Sequence, residues 1–387
     1  MPKTISITSI ASLSPLGFEP QTIRQHYGNG KYFFSVKDIG AQMVPVGALS
    51  AEAAAKINQL RQSDQKYKSL DDSVLYAIAV SREAVKKAGW TSDDIFGINI
   101  GSSRGATALF EKHFQEYLEN GKANVLTSPV TTLGNISSWV AHDLQSDGPE
   151  VSHSITCSTA LHALLNGYAW LQSGLADKFL VGGSEAPLTP FTIAQMQAMK
   201  IYSKGTGDFP CLALDLEKKQ NTLILGEGAA VCCLETGTPD NALATIAGIG
   251  YATELLEHNV SITAEAECFQ KSMRMALGEN SPDSIDAIVM HAPGTIKGDI
   301  TEYKAIQKVF GENLPLLTTT KWKTGHTFGA SGMLSVELAL LMMELDTFIG
   351  VPFAKAQEQS RPIRKVLVNA VGFGGNAVSV VLEKVAK

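Results

Sequence analysis

Along the chain, short apolar runs of period two alternate with stretches whose apolar positions recur every three to four residues. These are the patterns of β-strand and amphipathic helix. "TISITSIA", "SVLYAIAVSREAVKKAG" and "IFGINIGSS" predict strand, helix, strand. "LATIAGIGYA", "AEAECFQKSMRMALG" and "IDAIVMHAPG" predict the same again. Later, the strand-like "SHSITC" leads into a helix with Leu161, Leu164, Leu165 and Tyr168 on one face, then "KFLVGGSEA" and "AAVCCLE". Its counterpart is "PLLTTTKWKTGH", the helix "GMLSVELALLMMEL", "KVLVNAVGFGG" and "AVSVVLEK". The order β-α-β-α-β-β therefore occurs twice, and roughly residues 102–150 and 187–226 are extra sequence in the first copy. Strands alternating with helices argue for α/β layers. Near-continuous Val/Ile/Leu strands argue that helices cover both sheet faces. The expected halves are residues 1–243 and 244–387. No linker rich in Pro, Gly or Ser separates them, so one compact unit is expected.

Composition narrows the picture. Apolar residues make up 44% and charged residues 18% of the 387, enough to fill a large core. The net charge of -6 gives a nucleic-acid partner no global electrostatic support. The N-terminus lacks the cationic start and apolar stretch of a secretory signal. The most apolar long stretch, "MLSVELALLMMEL", carries two glutamates and reads as a buried helix rather than a membrane span. Five cysteines in so long a chain make no disulfide framework, so reduced thiols and a cytoplasmic location are expected. Cys211, Cys232, Cys233 and Cys268 read as small buried hydrophobes, and no cysteine has metal-ligand spacing. No metal and no cofactor are expected.

Three reactive side chains sit where sites gather in α/β sheets, beyond the carboxyl ends of strands. Cys157 lies at the joint between a strand and a helix. His291 follows "IDAIVM", and His326 follows "LLTTT" and the loop "KWKTG". Singly, each is the kind of residue that is most often plain packing. Jointly, in repeated positions beside glycine-rich turns, they point to chemistry. A thiol at a helix N-terminus feels the positive end of the dipole and unpaired N–H groups, which favour the thiolate. Neutral histidines can donate to a developing oxyanion or enolate, or act as bases. The combination suggests acyl transfer with stabilisation of a carbanion. His113, His142, His153, His162 and His258 have no such context.

On these residues the chain resembles the β-ketoacyl-[acyl carrier protein] synthases of the thiolase superfamily, the elongating condensing enzymes with a Cys-His-His site. "ITSIASLSPLG", "TCSTALHAL", "LVGGSEAPLTP", "LALDLEKKQNTLILGEGAAVCCLE", "HAPGTIKGDITE", "TKWKTGHTFGASG" and "GFGGNAV" resemble the family's motifs in order, over nearly the whole length. The resemblance implies a duplicated α-β-α-β-α fold. It implies that Cys157 accepts the acyl chain as a thioester, and that His291 and His326 assist decarboxylation of a malonyl unit. Lys321 and Glu302 would order the electrostatics around the histidines, while Thr295 and Asp299 would hold the loop. The N–H groups of Cys157 and Phe373 would form an oxyanion hole. Phe373 would also gate the malonyl side, with Gly374 and its glycine neighbours allowing close backbone approach. Phe110 and Met196 would line the acyl pocket, and Thr295 the substrate path. Lys66, Lys68 and Lys200 would dock an acidic acyl carrier protein. A homodimer is the expected assembly, with a heterodimer of ketosynthase-like chains as the alternative.

The motifs also depart from the family. Asn221 and Thr222 replace Gly-Phe before the Gly-Glu-Gly turn, Ala292-Pro293 stand in the first-histidine loop, and Lys323 would put a second cation near His326. Asn376 follows the last glycines without the usual threonine. Substrate scope is where these differences bear, and short or conjugated acyl groups are expected over long saturated ones. A degradative thiolase would need a second cysteine in "GFGG", and an acetyl-CoA-primed synthase an asparagine at His326. A non-catalytic chain-length partner typically lacks the cysteine, and a thiolase-fold acyltransferase of another kind stays open as the alternative.

Overall fold

The computed structural model describes residues 2–39, 42–133, 135–205, 207–255, 262–355 and 357–386; His258 lies outside them. The chain opens with β1 (Ile5–Leu13), α1 (Pro20–Gly28), β2 (Ser35–Asp38), β3 (Met43–Val46) and α2 (Ala51–Ser63). There follow α3 (Asp72–Ala88), β4 (Gly97–Gly101), α4 (Thr107–Asn120), α5 (Thr127–Thr131) and α6 (Asn135–Leu144). The first half closes with β5 (Glu150–Val151), α7 (Thr159–Ser173), β6 (Lys178–Glu185), α8 (Pro190–Ala198) and β7 (Gly228–Thr236). The second half begins with β8 (Ala244–Thr253), α9 (Glu267–Leu277), β9 (Ala287–Val289) and α10 (Ile296–Phe310). It continues with β10 (Leu316–Thr318), α11 (Lys321–Thr324), α12 (Ser331–Leu345), β11 (Lys365–Gly372) and β12 (Asn376–Lys384).

The duplication is visible in the sheet. Its order is β10-β9-β11-β12-β8-β1-β7-β6-β4-β5, which reads the same outward from the β8–β1 pair: β1 matches β8, β7 matches β12, β6 matches β11, β4 matches β9 and β5 matches β10. The two halves meet there in antiparallel pairing over only Ser6↔Thr245 and Ile7↔Ala244. More holds them together than this short seam. α7 and α12, apolar nearly all round, lie in one buried cluster with residues of β1, β6, β7, β11 and β12. A helix without a polar face must be covered on every side, and the two half-sheets supply that cover. The segment Phe328–Leu345 is long and apolar enough to cross a membrane, yet 78% of it is buried inside the molecule.

Local chemistry sets the ends of these elements. The Asp71 carboxylate accepts from the Ser73 N–H at 2.9 Å and starts α3. Gly89 and Gly174 end α3 and α7 in left-handed conformation, where a Cβ is unfavourable. One expected strand is corrected. The strand β5 ends at Glu150–Val151, just ahead of "SHSITC", which does not join the sheet. Beyond it the His153 carbonyl accepts from the Ser102 N–H, and the Ile155 N–H donates to Thr159 Oγ1 at 2.9 Å. These bonds satisfy the backbone outside the sheet and turn it toward α7.

Candidate active site

The turn before α7 presents Cys157, buried at 5% exposure. Thr156, just ahead of it, sits at φ +47°, an outlier for a β-branched residue. The close approach of β11 fits this strain. A Cβ on Gly372 would overlap Thr156 Oγ1, and Thr156 Oγ1 donates to the Phe373 carbonyl at 3.3 Å. Gly374 and Gly375, at φ +95° and +70°, close the turn into β12. Gly372 thus packs against the nucleophile turn.

His291 follows β9. Its backbone N–H donates to Glu302 Oε1 at 2.9 Å, and that of Ala292 to Glu302 Oε2 at 2.8 Å. Asn369 on β11 donates to the same carboxylate at 3.2 Å. Glu302, fully buried on α10, thus brackets the backbone that carries the histidine. Asp299, one turn earlier, accepts from the Gly294 and Leu214 N–H groups at 3.0 and 2.9 Å and pairs with the buried Lys218 at 2.7 Å. Thr295 caps α10 through the Gly298 N–H.

His326 lies between α11 and α12. Its N–H donates to the Ile224 carbonyl at 2.7 Å, and its carbonyl accepts from Gly226 at 3.1 Å. A Cβ on Gly226 or Gly47 would strike the Thr324 carbonyl, so this histidine strap needs glycine beneath it. The rings of His291 and His326 are 5.2 Å apart and nearly perpendicular. Among the described residues, neither Nδ1 has a hydrogen-bond partner. Burial, then the Lys321 ammonium, holds both histidines well below the usual imidazole range; His326 adds to the effect on His291. Both are neutral at pH 7, so each ring carries one N–H and one lone pair. Lys321 is itself buried at 1% exposure, and burial lowers its pKa against the pull of Glu302.

Cys157, His291 and His326 line one cavity of about 240 Å3, together with Met196, Thr295 and Phe373. A larger cleft of about 800 Å3 beside α1 and α12 has no cysteine or histidine in its wall. Within the duplication Cys157 and His326 are mates, each between the last parallel strand of its half and the buried helix. His291 comes from the neighbouring strand.

Three expectations need correction. The thiol does not rest as a thiolate: burial first, then the Glu185 carboxylate, push it up to about 12, against Lys321, Arg104 and its own backbone N–H. The helix N-terminus is present, but desolvation of a fully buried thiolate outweighs it. Phe110 does not line the cavity. It is 59% exposed on α4, its ring stacked with Phe114 at 6.3 Å, because that face of α4 turns away from its own chain. Lys323 is no second cation for the histidine: its ammonium donates to the carbonyls of His26, Asn29 and Lys31 and lies 4.2 Å from the Trp322 ring. Of the docking lysines, Lys200 follows α8 beside the cavity-lining Ile201, whereas Lys66 and Lys68 lie in the turn between α2 and α3, Lys66 against Asp64.

The sequence reading missed several supports. Glu185 lies in the motif "LVGGSEAPLTP" and Lys218 in "LALDLEKKQNTLILGEGAAVCCLE", yet neither carries an expected role, and Asn369 lies ahead of "GFGGNAV". Glu185 is fully buried and accepts from the N–H groups of Ser103 and Gly329 through Oε1. Burial raises it to about 7.

Comparison with known proteins agrees with this geometry. The model of the "Beta-ketoacyl synthase, N-terminal domain" matches residues 8–239 and that of the "Beta-ketoacyl synthase, C-terminal domain" residues 243–367. The chain belongs to the beta-ketoacyl synthase family. It is 25% identical to 3-oxoacyl-[acyl-carrier-protein] synthase 2 of Staphylococcus aureus (strain COL), over 99% of this chain and 98% of that one. Its fold is similar to that of the ishigamide ketosynthase/chain length factor, with a TM-score of 0.87 at 19% identity over the full length of both chains. It is also similar to a type II polyketide ketosynthase solved in complex with its acyl-carrier protein and bound to the hexaketide, with a TM-score of 0.84 at 21% identity and full coverage of both.

Proposed function

We propose that this ketosynthase joins an acyl group held on Cys157 to a malonyl unit on acyl carrier protein, in fatty-acid or polyketide elongation. The observation that carries the reading is the convergence of Cys157, His291 and His326 on one cavity. The thiol attacks the acyl thioester and passes its proton to a neutral histidine; the carrier thiolate leaves and takes up a proton. A malonyl thioester then loses its carboxylate as CO2. The electron pair stays on the adjacent carbon as an enolate, whose oxygen accepts from imidazole N–H. That carbon attacks the Cys157 thioester carbonyl, the C–S bond breaks, the Cys157 thiolate leaves and takes up a proton to restore the thiol, and the β-ketoacyl product remains on the carrier. The N–H groups of Cys157 and Phe373 are placed by this reading at the developing oxyanion. The cysteine itself speaks against a purely non-catalytic chain-length role.

The outward face of α4 bears on assembly. Phe110, Phe114, Tyr117 and Leu118 recur at helical spacing and are each 47–66% exposed, with Val125 and Leu126 next to them in the chain. So much contiguous apolar surface marks an interface. A second copy of the chain is the proposed cover, with a ketosynthase-like partner as the alternative outcome. The lysines Lys66, Lys68 and Lys200 are proposed to receive the acidic carrier. The test of the central reading is mass spectrometry after mixing with acyl carrier protein: a single acyl adduct on Cys157, lost on adding malonyl carrier protein. Adducts elsewhere, or loss by hydrolysis alone, would overturn it.

A further inference from the structure

The short helix α11 carries Lys321 at its start and leads directly to His326, so its orientation sets two groups of the site. Four residues of helix have almost no stability of their own. What holds α11 must come from its anchors. Trp322 packs in a cluster of rings with Phe209 and Phe353, at centroid distances of 6.1 and 6.0 Å. The Lys323 carbonyl accepts from the Phe33 N–H at 3.0 Å. The Lys323 side chain reaches the end of α1. Its ammonium donates to the His26 carbonyl at 2.8 Å, to the Asn29 carbonyl, and to the Lys31 carbonyl at 3.0 Å, with Asn29 Oδ1 at 3.4 Å. The Trp322 and Phe33 rings flank it, their centroids 4.2 and 5.8 Å from the nitrogen.

Three ammonium donors thus meet three main-chain carbonyls. Among the described residues no carboxylate pairs with the charge. The His26 carbonyl belongs to the last turn of α1, where a helix leaves carbonyls unpaired and its dipole is negative. Converging backbone carbonyls are also what a dehydrated potassium ion takes in channel filters. Here the cage is filled from within. Lys323 is buried, and burial lowers its pKa to about 8, so at pH 7 it is a cation. An apolar side chain in its place would leave the oxygens facing one another without a donor, and the loop can escape that cost only by opening. We propose that Lys323 is a positioning residue of the site, a tethered monovalent cation that clamps the end of α1 to α11 and so fixes Lys321 and His326. The kinetic part of its test rests on the condensation proposed above.

The test removes the tether and supplies the cation from solution. In lithium chloride, Lys323→Ala is expected to lower kcat for malonyl decarboxylation roughly tenfold to a hundredfold, the loss that follows a small misplacement of catalytic groups, with KM little changed. Potassium or ammonium chloride at the same ionic strength is expected to restore most of that loss in a saturable way. Tetramethylammonium, bulky and without an N–H, is expected to restore none. Wild-type kcat is expected to be the same in every salt. Lys323→Met, whose side chain fills the space an ion would enter, is expected to be slow in all of them. Unchanged kcat per folded molecule in Lys323→Met overturns the positioning role, and this variant decides if Lys323→Ala folds in no salt. Rescue of Lys323→Ala by every salt alike, or by none, overturns the cation cage. Denaturation midpoints separate this inference from the reaction itself. A Lys323→Ala midpoint raised by potassium and ammonium above its value in lithium, with no turnover by any protein, sinks the condensation and keeps the cage. Wild-type turnover beside a Lys323→Ala variant indifferent to the cation does the reverse.

Discussion

At Cys157 the desolvation of a buried sulfur and the positive end of α7 act in opposite directions, and desolvation is the larger. With the thiol pushed up to about 12, about one part in 10^4 is thiolate at pH 8. Alkylation of Cys157 by iodoacetamide is therefore expected to rise about tenfold per pH unit from pH 7 to 10 without levelling off; a plateau near neutrality would restore the resting thiolate. Cys157→Ala is expected to remove condensation, whereas Cys157→Gln is expected to leave malonyl decarboxylation running, because the histidines remain; gas-trap measurement of CO2 checks both. The histidines make the opposite kind of pH statement. Their protonation is depressed by burial and by Lys321, so the neutral form persists as pH falls through 6.5. Decarboxylation by Cys157→Gln is expected to stay flat there and to fall only well below; a half-maximal rate at 6.5 would contradict the geometry. The same depression makes the unfolded chain the better proton acceptor, so the stability it contributes is present above about pH 6.5 and is lost progressively as pH falls below. These signs were hidden from sequence reading, because a motif records which groups meet but not how much water each loses.

The elements show where pattern was sufficient. Period two and period 3.6 located the duplicated strands and helices, since those segments bury one face or both and the burial is written into residue type. "SHSITC" misled because its alternation serves a turn: its donors and acceptors go to Ser102 and Thr159. The glycines were legible as close approaches, but their partners were not. Gly372→Ala is expected to force β11 away from Thr156, since the added carbon would overlap Oγ1. The cost expected for such overpacking is about 1–3 kcal/mol, read as a lower denaturation midpoint. Acylation of Cys157 is expected to fall more steeply than stability accounts for, because the nucleophile turn moves with it. An Ala variant with unaltered stability and acylation would show that the two segments do not touch. Glu302 and Asp299 were legible as site residues, yet their action is on backbone N–H groups, which no spacing reveals.

For the whole molecule, the misplaced residue is the informative one. Phe110 resembles a pocket residue in sequence and stands in solvent on its own chain, because pattern cannot say which neighbour a helix face will meet. Phe114→Glu, at the middle of that face, is expected to convert a dimer to monomer in sedimentation velocity, with little change in the fold by circular dichroism; a wild-type monomer that sediments like the variant would remove the interface. The short seam between β1 and β8 has a consequence for how the chain comes apart. Only two residue pairs join the half-sheets, while the two buried helices are shared between them. Severing the chain near residue 243 would leave each fragment with one side of such a helix bare. Neither fragment is then a folding unit, and heating the intact chain is expected to give one calorimetric transition. Each half is the scaffold on which the other stays folded.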